Sequence, residues 1–186
     1  MMSAIFKEDL FMSAETHIFI IWQNGRYLEQ QIIADISSKF ELLQIFEVSW
    51  PEREFHYNLA KFYGKSLPKG CKKEKECGCG DFLVLLVRDS APNYKDGKNQ
   101  NTVQIKLHYR QEFGGKNYIH CSDTLQEGID NLAYLTGMSA EEVVARYGAY
   151  NGQYIKLAFQ PRRRLRLADK IWEPLITLYR SVFKPR

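Results

Sequence analysis

The sequence lacks any long apolar segment. No apolar run approaches the roughly 20 residues that a helix needs to span a bilayer. The first residues, Met1 to Ser13, carry Lys7, Glu8 and Asp9 inside their apolar stretch, which is unlike a secretory signal. Only four cysteines occur among the 186 residues, a number that suits reduced thiols in a cell interior. We therefore expect a cytoplasmic protein.

Internal repeats are also absent from the sequence. Hydrophobic residues make up 45% of the chain and aromatic residues 13%, which is typical of a folded globular protein and not of a disordered one. A chain of this length can bury a substantial core. These properties predict one domain of ordinary size plus an appendage.

Positive charge is unevenly distributed along the chain. The net charge is +4 at pH 7. From residue 160 onward, Lys and Arg clearly outnumber the two acidic residues, Asp169 and Glu173, whereas the rest of the chain leans acidic. The basic character therefore belongs to the C-terminal tail.

Hydrophobic patterning predicts alternating strands and helices. Short apolar runs predict buried strands at 17–22, 42–50, 81–87 and 118–120. Amphipathic spacing predicts helices at 28–40, 52–63, 124–137 and 139–147. Residues 103–109 alternate between apolar and polar, which predicts a half-exposed strand or one turn of another element. Polar loops are predicted at 65–80 and 88–102.

This element order predicts an α+β fold. Consecutive β-α-β units with short connections indicate a ferredoxin-like α/β sandwich, in which helices cover the faces of a small, mostly antiparallel sheet. We assign residues 1–16 to an N-terminal segment and residues 17–150 to this domain. Residues 151–186 are assigned to a basic, amphipathic, helical C-terminal extension.

One stretch, Lys116 to Thr124, carries a motif. It reads Asn117-x-x-His120-Cys-Ser-Asp-Thr and resembles the active-site signature of the nucleoside diphosphate kinases, Asn-x-x-His-Gly-Ser-Asp-Ser. In that family the histidine accepts a phosphate from one nucleotide and passes it to another. The element order over residues 17–137 is similar to the family's order, and His56-Tyr57 lies where the family often carries a His-Tyr pair.

The resemblance implies a phosphotransferase site centred on His120. A neutral imidazole can attack a γ-phosphoryl group and form a phosphohistidine. In this interpretation Asn117 bonds a sugar hydroxyl, Lys116 and Arg110 supply positive charge, and Tyr57 lines the pocket. Mg²⁺ would accompany the nucleotide. The expected partners are a nucleoside di- or triphosphate and further copies of the chain in a homo-oligomer.

Three further residues are expected to support this site. Ser122 and Asp123 would cap the following helix and fix the loop that carries His120. The glutamate that orients the imidazole in the family aligns with Asn131, and Glu127 lies one turn earlier, where it could serve only if the helix is rotated or shifted.

The chain departs from the family at several positions. The family's Lys-Pro-Asp after the first strand, whose lysine reaches the phosphates, corresponds to Trp22-Gln23-Asn24. The glycine after the histidine is Cys121, and the Thr-x-Arg phosphate clamp has no counterpart, so that Arg110 and Lys106 are the nearest cations. These departures favour an alternative, a non-catalytic nucleotide-binding or protein-interaction module of the same fold.

Cysteines cluster in the first polar loop. Cys71, Cys77 and Cys79 are spaced C-x5-C-x-C, and Cys121 could lie nearby. Thiolates can bind zinc, which requires four ligands in a tetrahedron, but this spacing is not that of a standard zinc ribbon. The other interpretation, a flexible lysine-rich loop with reduced thiols, predicts no bound metal.

The tail is basic and amphipathic. Residues 161–167 carry four arginines, and apolar residues follow at helical spacing until Pro174 breaks or kinks the pattern. Three interpretations remain open. The tail docks on its own chain or on a second subunit, it lies on an anionic membrane surface, or it binds nucleic acid.

Overall fold

The structure is a computed structural model that describes residues 14–64 and 66–158. The predicted N-terminal segment, apart from its last residues, and the basic helix predicted within 161–186 lie outside the described residues. Within the described ranges, no helix has the length and apolar character needed to cross a membrane.

Five strands form the main sheet, in the order β6-β1-β3-β2-β7. Their bounds are β1 (Glu15–Ile21), β2 (Glu41–Ser49), β3 (Phe82–Asp89), β6 (Ile119–Cys121) and β7 (Ile155–Ala158). All neighbours are antiparallel except β2 and β7, which are parallel. The order β6-β1-β3-β2, with the helices Glu29–Lys39 and Gln100–Glu112 packed on the same face, is that of a ferredoxin-like sandwich and confirms the predicted fold class.

Helices cover both faces of this sheet. They are α1 (Glu29–Lys39), α2 (Glu52–Phe62), α3 (Lys72–Cys77), α4 (Gln100–Glu112), α5 (Leu125–Thr136) and α6 (Ala140–Tyr147). A 3-10 helix (Gln23–Leu28) follows β1, and a small hairpin of β4 (Tyr94–Lys95) and β5 (Lys98–Asn99) precedes α4. One core lies between the sheet and α2, α5 and α6, and the other between the sheet and α1 and α4.

Three predictions on local structure require correction. The alternating segment 103–109 belongs to α4, because its buried residues, Ile105 and Tyr109, are spaced by one helical turn while Leu107 is 50% exposed. The loop predicted at 65–80 contains α3. The sheet continues beyond the domain boundary predicted at 150, because Ile155 and Leu157 of β7 pack against the core beside β2.

Trp22, directly after β1, is the centre of an aromatic cluster. It is fully buried, and its ring lies 4.8 Å from that of Phe82 and 6.0 Å from those of Trp50 and Phe62. Tilted and edge-on contacts of this kind add to the free energy gained by burying the rings. The cluster fixes α2 against the sheet and so positions the end of α2 next to β6.

Candidate functional site

His120 lies on β6, at the edge of the sheet, opposite Ile20 of β1. Because side chains alternate along a strand, its neighbours Ile119 and Cys121 enter the core beneath α1 and α4, and His120 faces the core beneath α2 and α5. The imidazole meets Phe62 and Tyr63 edge-on, with ring centroids 5.2 and 5.4 Å away. The residue is 7% exposed.

One nitrogen of this imidazole points toward a carboxylate. His120 Nε2 lies 3.6 Å from Glu127 Oε1, beyond hydrogen-bond distance, and has no hydrogen-bond partner among the described residues. Glu127 is held there because its backbone N–H donates to Thr124 Oγ1 at 3.1 Å and its Oε2 accepts from the Asp123 N–H at 2.7 Å. The carboxylate that faces His120 is therefore that of Glu127. The position that aligns with the family's glutamate holds Asn131, which has no carboxylate.

The environment of His120 opposes protonation. Burial comes first, and the positive charges of Lys106, Lys73 and Arg110 add to it, so that the pKa of His120 falls from its ordinary value to about 3. The imidazole is neutral at physiological pH. A neutral imidazole retains a lone pair on one nitrogen, which is the form that can act as a nucleophile or accept a hydrogen bond.

The cations come from two elements. Lys73 of α3 places its Nζ 3.2 Å from the centroid of the Tyr63 ring, the same ring that meets His120. On α4, Lys106 is buried, and the Nε of Arg110 is buried without a hydrogen-bond partner in the described part of the chain. Positive charge therefore reaches the imidazole from α3 and from α4.

Asp123 is an ion-pairing residue. It pairs with Lys106 and, at 3.3 Å, with Lys98. Burial opposes ionisation of Asp123, but the hydrogen bonds from these lysines outweigh it, and the pKa of Asp123 falls below its usual value. Its carboxylate neutralises part of the positive charge near His120.

The predicted capping role of Ser122 and Asp123 is wrong. The N-cap of α5 is Thr124, whose hydroxyl accepts from the Glu127 N–H. Ser122 Oγ instead accepts from the Ile18 N–H at 3.2 Å and lies 3.2 Å from His17 Nδ1, so that it joins the loop to β1. A hydroxyl one turn before the helix start cannot reach its free N–H groups, whereas Thr124 can.

The remaining predicted residues have other partners. Asn117 donates to Glu76 Oε2 through both its side-chain Nδ2 at 2.7 Å and its backbone N–H at 3.2 Å. Lys116 Nζ lies 5.4 Å from the centroid of the Tyr118 ring. Tyr57 is 42% exposed on α2, with Lys61 Nζ 5.3 Å from its ring. Of the predicted set, Glu127 faces the imidazole of His120, and Asp123 and Arg110 act on it through their charges.

The segment after β1 attaches α3 to the sheet. Asn24 Nδ2 donates to the carbonyl oxygens of Lys75 and Glu76 at 3.0 Å, and Gln23 Oε1 accepts from the Gly80 N–H at 2.7 Å. Trp22 is in the core. Trp22, Gln23 and Asn24 therefore serve packing and the attachment of α3.

The sequence interpretation missed the contribution of α3. Lys73 contacts Tyr63, whose ring meets His120, and Glu76 accepts from Asn117. The sequence of this segment nevertheless predicts a polar loop. One signal was available: Lys72 and Glu76 stand at the i, i+4 spacing of a helical ion pair, and their side chains lie 3.6 Å apart.

The described residues contain no group of three or more His, Cys, Asp or Glu side chains that could hold a metal ion. Cys77 is buried, Cys79 is exposed, and Cys121 lies in the core on the other face of the sheet. The four cysteines are free thiols. These side chains do not provide the ligands of a zinc site or of a permanently bound magnesium ion.

Comparison with known proteins gives a likeness of fold. No model of a protein family matches this sequence, and no curated protein sequence matches it. Among solved structures, the nucleoside diphosphate kinase of Aquifex aeolicus is 13% identical, with a TM-score of 0.45, over 66% of this chain and 94% of that chain.

Two further nucleoside diphosphate kinases show similarly low identities and TM-scores. The Encephalitozoon cuniculi protein is 18% identical, with a TM-score of 0.46, over 67% of this chain and 90% of that chain. The Pyrobaculum aerophilum protein is 13% identical, with a TM-score of 0.37, over 70% of this chain and 98% of that chain. Likeness at these low values carries no argument about activity, and the fold assignment rests on strand order and register.

Proposed function

We propose that this protein is a phosphotransferase in which His120 accepts a phosphoryl group from a nucleoside triphosphate. The observation that carries the proposal is the state of the imidazole. It is neutral, so one of its nitrogens keeps a free lone pair; its Nε2 faces the Glu127 carboxylate at 3.6 Å without a hydrogen-bond partner in the described residues, and the positive charges of Lys106 and Arg110 of α4 act on it. A nucleophile that meets a polyanion needs this combination of a free lone pair and nearby positive charge.

Glu127 selects the nitrogen that reacts. A carboxylate facing Nε2 favours the tautomer that carries its proton there, which leaves the lone pair on Nδ1. The Nδ1 lone pair attacks the γ-phosphorus, the bond between that phosphorus and the β,γ-bridging oxygen breaks, and the nucleoside diphosphate leaves. An oxygen of an acceptor diphosphate then attacks the same phosphorus, and the phosphorus–nitrogen bond breaks, which restores the imidazole.

The cations supply electrostatic stabilisation in this scheme. Negative charge spreads over the oxygens of the transferring group, and positive side chains positioned in advance lower the energy of that state. Arg110, whose Nε is buried without a partner in the described residues, is suited to a phosphate oxygen. Magnesium would enter with the nucleotide's phosphates.

A second candidate is a non-catalytic nucleotide-binding module. It is favoured by the residues after β1, because Trp22 is fully buried where the family has its phosphate-contacting lysine. In this case the pocket binds a nucleotide but the donor's phosphates are not held in line with the imidazole.

The experiment that separates the candidates uses nucleotides labelled at the γ-phosphate. ATP, GTP, CTP and UTP with magnesium are each mixed with the protein, and acid-labile phosphate on the chain is located by mass spectrometry. Phosphotransfer predicts label on His120, none in His120→Asn, and undiminished label in His108→Asn, which alters an exposed histidine of α4.

Calorimetry on the same proteins completes the test. Binding of a nucleotide without labelling of His120 would overturn phosphotransfer in favour of the binding module. No binding and no labelling with any of the four nucleotides would overturn both candidates. Label that persists in His120→Asn would place the reaction at another residue.

A further inference from the structure

Glu76 occupies the hydrogen-bond donors of Asn117, the residue that the sequence motif predicts to bond a sugar hydroxyl of the nucleotide. Its Oε2 accepts from both the side chain and the backbone of Asn117. Glu76 is 8% exposed, so this carboxylate is buried against Asn117. Two donors that converge on one carboxylate oxygen form a strong, charge-assisted contact. A ligand oxygen and Glu76 cannot hold these donors at the same time.

Glu76 belongs to a short element with few attachments. Besides the Asn117 contact, α3 and the residues around it are held by Asn24, by Gln23 through Gly80, and by Glu74, whose Oε2 contacts His56 Nδ1 at 3.0 Å. Only Cys77 of α3 reaches the apolar core. An element with one core residue and mostly polar contacts is of the kind that opens locally at low cost in free energy.

The position of α3 also limits access to the imidazole. Lys73 lies on the Tyr63 ring, and Tyr63 meets His120. The closed structure leaves His120 only 7% exposed. Displacement of α3 would remove Lys73 from Tyr63 and Glu76 from Asn117 together.

We propose that α3 is an autoinhibitory gate, in which the Glu76 carboxylate holds the donors of Asn117 until an anionic ligand displaces it and α3 opens as a unit. The gate concerns the same site as the proposed function and rests on it only for the identity of the displacing ligand. Opening itself is a property of the chain alone. It can therefore be measured without any nucleotide.

The cysteines provide reporters of this opening. Cys79 is exposed and reacts with a thiol reagent in either state, whereas Cys77 is fully buried until α3 opens. Cys121 is fully buried in the core on the other face of the sheet, so that it reacts only when the whole domain unfolds. One labelling reaction thus distinguishes the open gate from global unfolding.

The test follows alkylation of each cysteine by mass spectrometry under native conditions. Glu76→Ala should accelerate labelling of Cys77 about tenfold, because it removes a charge-assisted pair of hydrogen bonds from the closed state. Labelling of Cys79 and Cys121 should stay unchanged. Glu76→Gln, which keeps an acceptor oxygen but not the charge, should fall between wild type and Glu76→Ala.

A control variant lies on the same helix. Lys75 is exposed, and Lys75→Ala keeps the backbone carbonyl that Asn24 binds, so its Cys77 labelling should match wild type. Equal Cys77 rates in wild type and Glu76→Ala would overturn the gate. So would Cys77 labelling that always accompanies Cys121, because opening would then be global.

MgATP forms the second arm of the test. Its addition to wild type should accelerate labelling of Cys77, and Glu76→Ala should bind it about tenfold more tightly than wild type does. If Cys77 responds to the Glu76 variants while MgATP neither binds nor labels His120, the gate stands and the proposed function fails. If MgATP binds equally well to wild type and Glu76→Ala, the competition by Glu76 is overturned while nucleotide binding stands.

Discussion

At the scale of single residues, burial decides the chemistry of His120. A histidine on a solvated loop is partly protonated near neutral pH, but here Phe62, Tyr63 and three cations keep the imidazole neutral. The same burial has a cost for folding in acid. In the unfolded chain His120 is exposed and can bind a proton, whereas burial in the folded chain opposes its protonation.

We predict that this proton makes stability depend on pH. The pKa of His120 is about 3 in the folded chain and near 6.5 when the residue is exposed, so the free energy of unfolding falls as the pH decreases between these values. One proton corresponds to about 1.4 kcal/mol per pH unit. Urea unfolding of His120→Asn between pH 4 and 6 should show a slope smaller by up to about this amount.

His108→Asn is the matched control, because that side chain is exposed on α4. The same pH slope in wild type and His120→Asn would contradict the burial of an uncharged His120.

Trp22 carries a second prediction at this scale. Trp22→Lys would introduce the residue type that nucleoside diphosphate kinases carry at the position the motif aligns, but it removes the centre of the aromatic cluster and buries an unpaired charge. We expect a loss of at least about 4 kcal/mol in the free energy of unfolding. Near-ultraviolet circular dichroism and urea titration would measure it, with Tyr27→Lys, at a 69% exposed position, as the control. A folded, nucleotide-binding Trp22→Lys variant would contradict the packing role of Trp22.

At the scale of elements, the distance between α5 and β1 places Glu127 beside His120. Gly128 makes this approach possible, because a Cβ there would lie 2.9 Å from the Thr16 carbonyl oxygen and 3.3 Å from Ser122 Oγ. Backbone cannot move away as a flexible side chain can. Any side chain at residue 128 must therefore push α5 from the sheet.

Gly128→Ala should consequently destabilise the protein although alanine favours helices. Overpacking of a well-packed site costs about 1–3 kcal/mol and the gain in helix propensity is about 1 kcal/mol, so we expect a net loss of up to about 2 kcal/mol. Thermal unfolding would measure it. Gln126→Ala, an exposed change in the same helix, should be neutral or slightly stabilising. A Gly128→Ala variant more stable than wild type would show that α5 has room to move.

At the scale of the whole molecule, β7 completes the sheet. It pairs in parallel with β2, from Phe46 opposite Ile155 to Ser49 opposite Ala158, and covers an edge that would otherwise expose unpaired backbone groups. Ile155 and Leu157 pack partly against the core beneath α2, α5 and α6.

Two truncations test this role of β7. A chain that ends at residue 158 should be more stable than one that ends at residue 150 by about 1–3 kcal/mol, the amount expected from partial burial of two aliphatic side chains. The shorter chain should also aggregate more readily, because β2 becomes an open edge. Equal unfolding midpoints for the two chains would show that β7 adds nothing to the sheet.

The order of elements was predictable because it depends on local patterns. Continuous apolar runs marked β1, β2 and β3, and the helix predicted from residue 139 is α6, which begins with a capping box formed by Ser139 and Glu142. The sequence of α4 was ambiguous, because its alternating apolar residues fit both the two-residue period of a strand and the 3.6-residue period of a helix. Burial of Ile105 and Tyr109, one helical turn apart, shows that the segment is a helix. The motif also pointed to His120 and Glu127, whose side chains lie 3.6 Å apart in the structure, and their chemical roles stay predictions.

Other features depend on contacts between distant residues, and only the tertiary structure decided them. The spacing between β1 and α5 brought Glu127 to the imidazole, and the fold of α3 brought Glu76 to Asn117 across 41 positions of sequence. The neutral state of His120 depends first on burial of the imidazole, which lowers its pKa, and then on Lys106 and Lys73, which approach from different elements. Local sequence determines which secondary structure is favoured, whereas burial and charge around a side chain depend on packing, which no local pattern contains.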